Sequence, residues 1–404
     1  MRVVVLDHTA ALGGAEIALS RLLPALDGDR YEVSVLLFAD GPLVERLRDA
    51  GTAVEVRPLD PATATLERTA VTRSPWRAAQ AAGRAAAFTV GLARALRRER
   101  ADLVVANSLK AALIGGTAAT LARTPWVWHL HDRLSEDYLP GPVARVLRGL
   151  ARRAPRQVVV NSQATLRSLG PIPADRVVVA YPGLPAPAFA PRDEPSSGDP
   201  VVGIVGRISP TKGQREFVDA AAQVVASHPE ARFVVVGAAL FAEGAYEAEL
   251  RAYVAERGLT DHVAFTGWLA DPSQTLRTLD LLVHASPVPE PFGQVVVEAM
   301  AVGIPVVATA AGGVVEILDP AGSGDTDVVT DRSVRRTPLG QLVPPADVDA
   351  LATAVRWVLD HPVDAAAAAA RARASAQERF TLERTAEAVT TAWDRALAGR
   401  SASS

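Results

Sequence analysis

The sequence predicts an α/β protein of two Rossmann-like domains, each on a mainly parallel sheet, with the two sheets facing a central cleft. Three observations carry this expectation. A chain of 404 residues exceeds the size at which one core stops growing. Both halves alternate short β-branched runs with stretches of helical periodicity, the pattern of βαβ units. Between the halves, Pro185 to Pro200 is proline-rich and nearly free of apolar periodicity, which suits a linker over 186–200. The boundaries follow as 1–185, 201–380 and a C-terminal segment 381–404.

In order, the strand candidates of the first half are Arg2 to Leu6, Glu32 to Leu37, Ala53 to Val56, Asp102 to Ala106, Trp126 to Leu130, Gln157 to Asn161 and Val177 to Ala180. Those of the second are Val201 to Val205, Arg232 to Val236, Val263 to Thr266, Leu279 to His284 and Pro305 to Thr309. Ligands of such sheets sit at the carboxyl ends of the strands, where the chain turns into the next helix.

Hydrophobic residues make up 49% of the chain, enough for two cores. No apolar run reaches the ~20 residues that cross a bilayer, and Met1 to Asp7 is too short and too soon charged for a signal peptide. A cytoplasmic protein is expected, with peripheral contact at the inner membrane face as an option. Without cysteine there is neither disulfide nor thiolate metal site. Net charge is −3, but residues 1–185 hold 24 basic and 17 acidic residues while the remainder holds 18 and 28. Lys110 and Lys212 are the only lysines among 42 basic residues.

The run Glu290-Pro291-Phe292-Gly293-Gln294-Val295-Val296-Val297-Glu298 places two carboxylates on either side of a turn that opens a helix. Backbone N–H groups at such a start suit a phosphate. Glu298, one turn in, suits a vicinal diol such as a ribose. Gly206-Arg207-Ile208-Ser209-Pro210-Thr211-Lys212-Gly213 puts two cations in a loop after a strand, where a diphosphate would meet both. Gly13 and Gly14 remove a steric barrier before the first helix. His129 and His131 share a face of one strand; with no third ligand nearby, a strand-end His131 meeting a sugar hydroxyl is favoured over zinc. Asp325-Thr326-Asp327 and Asp347-Val348-Asp349 read as loop and cap residues, not metal motifs.

In combination, Gly13-Gly14-Ala15-Glu16, His131-Asp132, Asn161-Ser162, Gly206-Arg207 with Lys212-Gly213, and the Glu290 to Glu298 run resemble retaining nucleotide-sugar-dependent glycosyltransferases of the GT-B fold, family four, the group 1 type. The resemblance implies donor binding mainly by the second domain and a C-terminal helix, within Leu382 to Leu397, that crosses back to the first. It assigns Arg207 and Lys212, beside Gly206, to the diphosphate, Glu298 to the ribose, and Phe292, Gly293 and Gln294 to the sugar and its phosphate. Gly13 and Gly14 close on the phosphates, and Gly267 and Trp268 lie near the base. Glu290 and His131 flank the sugar as the catalytic pair, with Glu290 orienting the donor, not attacking it.

The implied reaction moves a hexose or N-acetylhexosamine, UDP-linked by the commonest family choice, to an acceptor hydroxyl. Configuration is retained, and neither cofactor nor metal is needed. The acceptor is a small molecule or lipid-linked. Arg145, Arg148 and Arg152 fall on one helical face, as a membrane contact would use, whereas nucleic acid does not suit a chain of this charge without clustered aromatics. Three other functions would keep much of this pattern: a pseudo-glycosyltransferase coupling an activated cyclitol, a nucleotide-sugar 2-epimerase, and a noncatalytic nucleotide-sugar-binding protein.

Overall fold

A computed structural model describes residues 1–59, 75–192, 198–239, 243–269, 271–322 and 334–401. The chain divides into two compact units, Met1–Gly183 with Leu382–Ser404, and Leu184–Thr381.

The first unit holds β1 (Arg2–Asp7), β2 (Glu32–Leu37), β3 (Ala53–Val56), β4 (Leu103–Ala106), β5 (Trp126–Leu130), β6 (Gln157–Val160) and β7 (Val177–Val179). They form one sheet in the order β3-β2-β1-β4-β5-β6-β7, parallel at each junction. The period-2 alternation of a strand divides its residues between two cores. Val4 and Leu6 join a cluster with helices Pro75–Arg98, Leu109–Ala122 and Gly141–Arg153. Val3 and Val5 join another with helices Gly14–Leu22, Pro42–Asp49 and Leu382–Ser401. The last helix is tied in by Trp393, edge-on to Tyr31 at 5.3 Å, and by the Tyr31 hydroxyl donating to Asp394 at 2.6 Å.

The second unit holds β8 (Val201–Val205), β9 (Arg232–Val236), β10 (Val263–Gly267), β11 (Leu281–His284), β12 (Val306–Thr309), β13 (Arg335–Thr337) and β14 (Gly340–Val343). Its sheet runs β10-β9-β8-β11-β12-β14-β13, parallel except for the antiparallel β13–β14 pair. Those last two strands have no counterpart in the sequence reading: three and four residues, one arginine-rich, are too short for a β-branched run to show. Their turn is held by Thr337, whose hydroxyl oxygen accepts from the Leu339 and Gly340 amides at 3.1 Å.

The expected linker is divided. Ala186–Phe189 forms a 3₁₀ turn with Phe189 buried, inside the second unit, and 193–197 lie outside the described residues. Among the described residues no helix is long and apolar enough to cross a membrane.

Candidate active site

In the second unit the carboxyl ends of β8 and β11 carry the side chains of the candidate site. After β8 the chain passes through Gly206 and Arg207 to Gly213, which caps helix Gln214–Val225 with φ +80°. A Cβ there would lie 2.0 Å from the Ala285 carbonyl oxygen, so this loop is pressed against the segment that follows β11. Buried Gln214 fixes the loop from below, its amide donating to the Arg207 carbonyl at 2.9 Å. The Ser286 hydroxyl reaches the Thr211 and Val288 carbonyls at 2.7 and 2.8 Å. The loop thus presents Lys212 toward Glu290.

Lys212 Nζ lies 2.6 Å from Glu290 Oε1, and His284 Nε2 lies 3.4 Å from the same oxygen. Thr309 Oγ1 sits 3.3 Å from His284 Nδ1, while buried His284 Nε2 faces the carboxylate without completing a hydrogen bond to it. Burial alone would raise the Glu290 pKa, but the Lys212 ammonium and then His284 outweigh it and hold the carboxyl far below the usual carboxylate range. Its backbone is fixed as well: the Gly313 amide donates to the Glu290 carbonyl at 2.9 Å.

Two residues on, Phe292 turns inward, edge-on to Phe380 at 5.7 Å, so any donor contact there falls to its backbone. Gly293, at φ +112°, opens helix Gln294–Val302 without a side-chain cap, and a Cβ would meet Val314 at 2.8 Å. Glu298 lies half-buried one turn in, on the face of Gln294. Arg207 pairs with Glu243 at 3.5 Å. Gly267 ends β10 and bridges to Gly237, and Trp268 is 54% exposed.

The first unit carries its own polar chain. Asn107 Nδ2 donates to Asp7 Oδ2 at 2.7 Å, and its Oδ1 lies 3.0 Å from His131 Nε2. The carboxylate fixes the amide, and the amide fixes the imidazole with its proton on Nε2. His131 therefore does not project freely from its strand end. It is buried, its ring lies 4.3 Å from that of His129 and tilted 37° to it, and burial followed by His129 pushes its pKa well below the ordinary value, leaving it neutral.

Gly13 caps helix Gly14–Leu22 at an extended φ of −94°, and a Cβ on it would meet the Glu16 carboxylate at 2.5 Å. Glu16 occupies the third helical position and folds back on the cap, the reverse half of a capping box. Burial, then Asp7 and Asp132, raise its pKa to about 7. The unfolded chain loses this proton near 4.5 and the folded chain near 7, so the cost of ionising Glu16 grows with pH across that window, to roughly 3 kcal/mol above it. Glu16→Gln is expected to melt progressively higher than the parent chain as pH rises from about 5 to about 8. A melting difference independent of pH would refute this.

Of the metal-like motifs, Asp325 and Asp327 lie outside the described residues, and Asp347 accepts from the Ala350 amide at 2.9 Å as the cap of helix Val348–Asp360. The sequence reading missed His284 and Asn107. His284 ends β11 as His131 follows β5, and that shared strand-end position was the only signal.

Comparisons with known proteins identify the family. Residues 12–186 match the family model described as Glycosyltransferase Family 4, and residues 188–378 the one described as Glycosyl transferases group 1. The chain is 32% identical over 293 residues to the 2-deoxystreptamine glucosyltransferase of Streptomyces kanamyceticus, covering 66% of this chain and 70% of that one. It is 31% identical over 351 residues to a D-inositol 3-phosphate glycosyltransferase of Kineococcus radiotolerans, covering 79% and 78%. The crystal structure of Anabaena Alr3699/HepE in complex with UDP-glucose superposes with a TM-score of 0.77 at 31% identity, over 99% of this chain and all of that one. With both halves matched by models of one enzyme family and its relatives covered over most of their length, this chain belongs to the group 1 glycosyltransferases of family 4 and has the GT-B fold.

Proposed function

We propose that the second unit binds a UDP-linked hexose or N-acetylhexosamine and that the enzyme transfers the sugar, with retention and without a metal, to a hydroxyl of a small-molecule or lipid-linked acceptor. The observation that carries this reading is the Lys212 ammonium on largely buried Glu290, one short turn ahead of the helix that bears Glu298. An ammonium has three donors. One directed at Glu290 leaves two for phosphate oxygens. Arg207, five residues back, supplies a planar fork for the same diphosphate, and the start of helix Gln294–Val302 adds backbone amides.

As the glycosidic bond breaks, charge grows on the leaving diphosphate. Cations fixed beforehand stabilise that state more than the ground state, which lowers the barrier and takes the place of a metal ion. Glu290, kept ionised by Lys212 and His284, orients the sugar hydroxyls, and the acceptor hydroxyl attacks from the face the diphosphate leaves, passing its proton to the departing phosphate oxygen. The UDP choice leans on the Anabaena relative, solved with UDP and with UDP-glucose.

Thermal stabilisation by UDP, GDP, ADP and dTDP in chelator tests the donor site. UDP at ~100 times its dissociation constant should add about 2.7 kcal/mol, and Glu298→Ala should lose most of that shift. Equal shifts from all four nucleotides, or none, would sink the assignment.

A further inference from the structure

The two helical layers of the first unit differ in charge. Helices Pro75–Arg98, Leu109–Ala122, Gly141–Arg153 and Gln163–Leu169, which cover the Val4 and Leu6 face of the sheet, contain eleven arginines and lysines and no aspartate or glutamate. Helices Gly14–Leu22, Pro42–Asp49 and Leu382–Ser401 on the opposite face contain six basic and six acidic residues. Of the acids flanking this layer, Glu136 and Asp137 are engaged by Arg148 and Arg133, and half-buried Glu99 directly follows Arg98.

The same layer is unusually apolar outside. Five of the nine exposed large hydrophobic residues among those described, Val90, Leu113, Leu121, Val143 and Val146, lie on these helices, with Val146 66% exposed. Arg145 and Arg153 are exposed on the helix that bears Val143 and Val146, whereas Arg148 and Arg152 are half-buried and engaged by surface Glu136 and the Leu169 carbonyl. The three arginines expected to share one face are therefore split, and the outward face alternates arginine with valine.

We propose that this layer docks the enzyme on an anionic lipid bilayer. Arginines neutralise the surface charge, and aliphatic groups between them enter the headgroup boundary. Charge complementarity names the occupant. Among the described residues of these helices the exposed large apolar groups are aliphatic, which suits acyl chains better than the stacking that nucleic acid requires. The proposal is independent of donor chemistry, so its failure would leave the nucleotide assignment intact.

Flotation of the full chain with vesicles of phosphatidylcholine, with and without phosphatidylglycerol, is the test. Binding is expected only to the anionic vesicles and should weaken as salt rises. The quadruple variant Arg94→Gln, Arg98→Gln, Arg145→Gln, Arg153→Gln should bind roughly 100-fold more weakly or worse. Val143→Ser with Val146→Ser should weaken binding at constant charge. Arg48→Gln with Arg395→Gln, exposed on the opposite face, should leave it unchanged, and melting temperatures verify folding of each variant. Absent binding at low salt, equal binding to neutral vesicles, an unaffected quadruple variant, or binding of a single-stranded oligonucleotide without vesicle binding would each overturn the proposal.

Discussion

Lys212→Ala is expected to lower turnover ~100- to 1000-fold, the loss of about 3–4 kcal/mol that follows removal of one preorganised charge at a developing anion. The substitution acts twice. It removes the ammonium assigned to the diphosphate, and it strips Glu290 of its 2.6 Å partner, so the carboxyl rises from its depressed pKa. Lys212→Arg separates the two effects: charge survives, but a planar fork replaces a compact point charge, and partial recovery is expected. Glu290→Gln complements it by removing the carboxylate while sparing the ammonium. Steady-state rates at saturating donor and the shift produced by UDP give the readouts. Turnover within tenfold of the parent for Lys212→Ala would remove this lysine from the mechanism.

Gly213→Ala is expected to destabilise the second unit by about 3 kcal/mol or more, combining a left-handed backbone penalty with a steric one. The new Cβ would sit 2.0 Å from the Ala285 oxygen, and both partners are backbone, so relief requires moving the loop or the strand end. Gly258 supplies the control. It has φ +68° with nothing within 4 Å of a Cβ, so Gly258→Ala should cost only about 1 kcal/mol. For a unit of this size the larger loss corresponds to a fall in melting temperature of roughly 6–12 °C. Equal effects at the two positions would show that the close approach to Ala285 carries no energy. Because Lys212 precedes Gly213, the variant should also bind UDP more weakly.

Much of this architecture was legible because parallel strands buried on both faces are written as contiguous β-branched runs, and twelve such runs lie where strands form. The missing pair, β13 and β14, takes its structure from pairing with β12 and from the Thr337 turn, which no local pattern announces. At the site, the proximity of Lys212 to Glu290 follows from adjacent strands β8 and β11 ending together, which the sheet order reveals and the sequence does not. His284 was hidden in an apolar run whose last residue gives no hint of which neighbour it meets. The expectation of a strand-end His131 reaching into the cleft misses the Asn107 and Asp7 chain that fixes it, which comes from the ends of two other strands and is invisible without the fold.

The second sheet ends on β13, whose three residues include Arg335 and Arg336. Any sheet border can template another strand, and a copy of this chain would be the most abundant candidate at high concentration. Among the described residues the border offers a ladder three residues long. Its guanidinium groups are engaged within the chain, Arg335 toward Asp319 at 3.3 Å and Arg336 over the Trp357 ring at 4.0 Å. A second molecule would have to dislodge them to extend the sheet. Adding a strand at this edge would therefore cost the chain two of its own contacts before any new ladder formed, which is how a charged, short edge strand discourages edge-to-edge pairing.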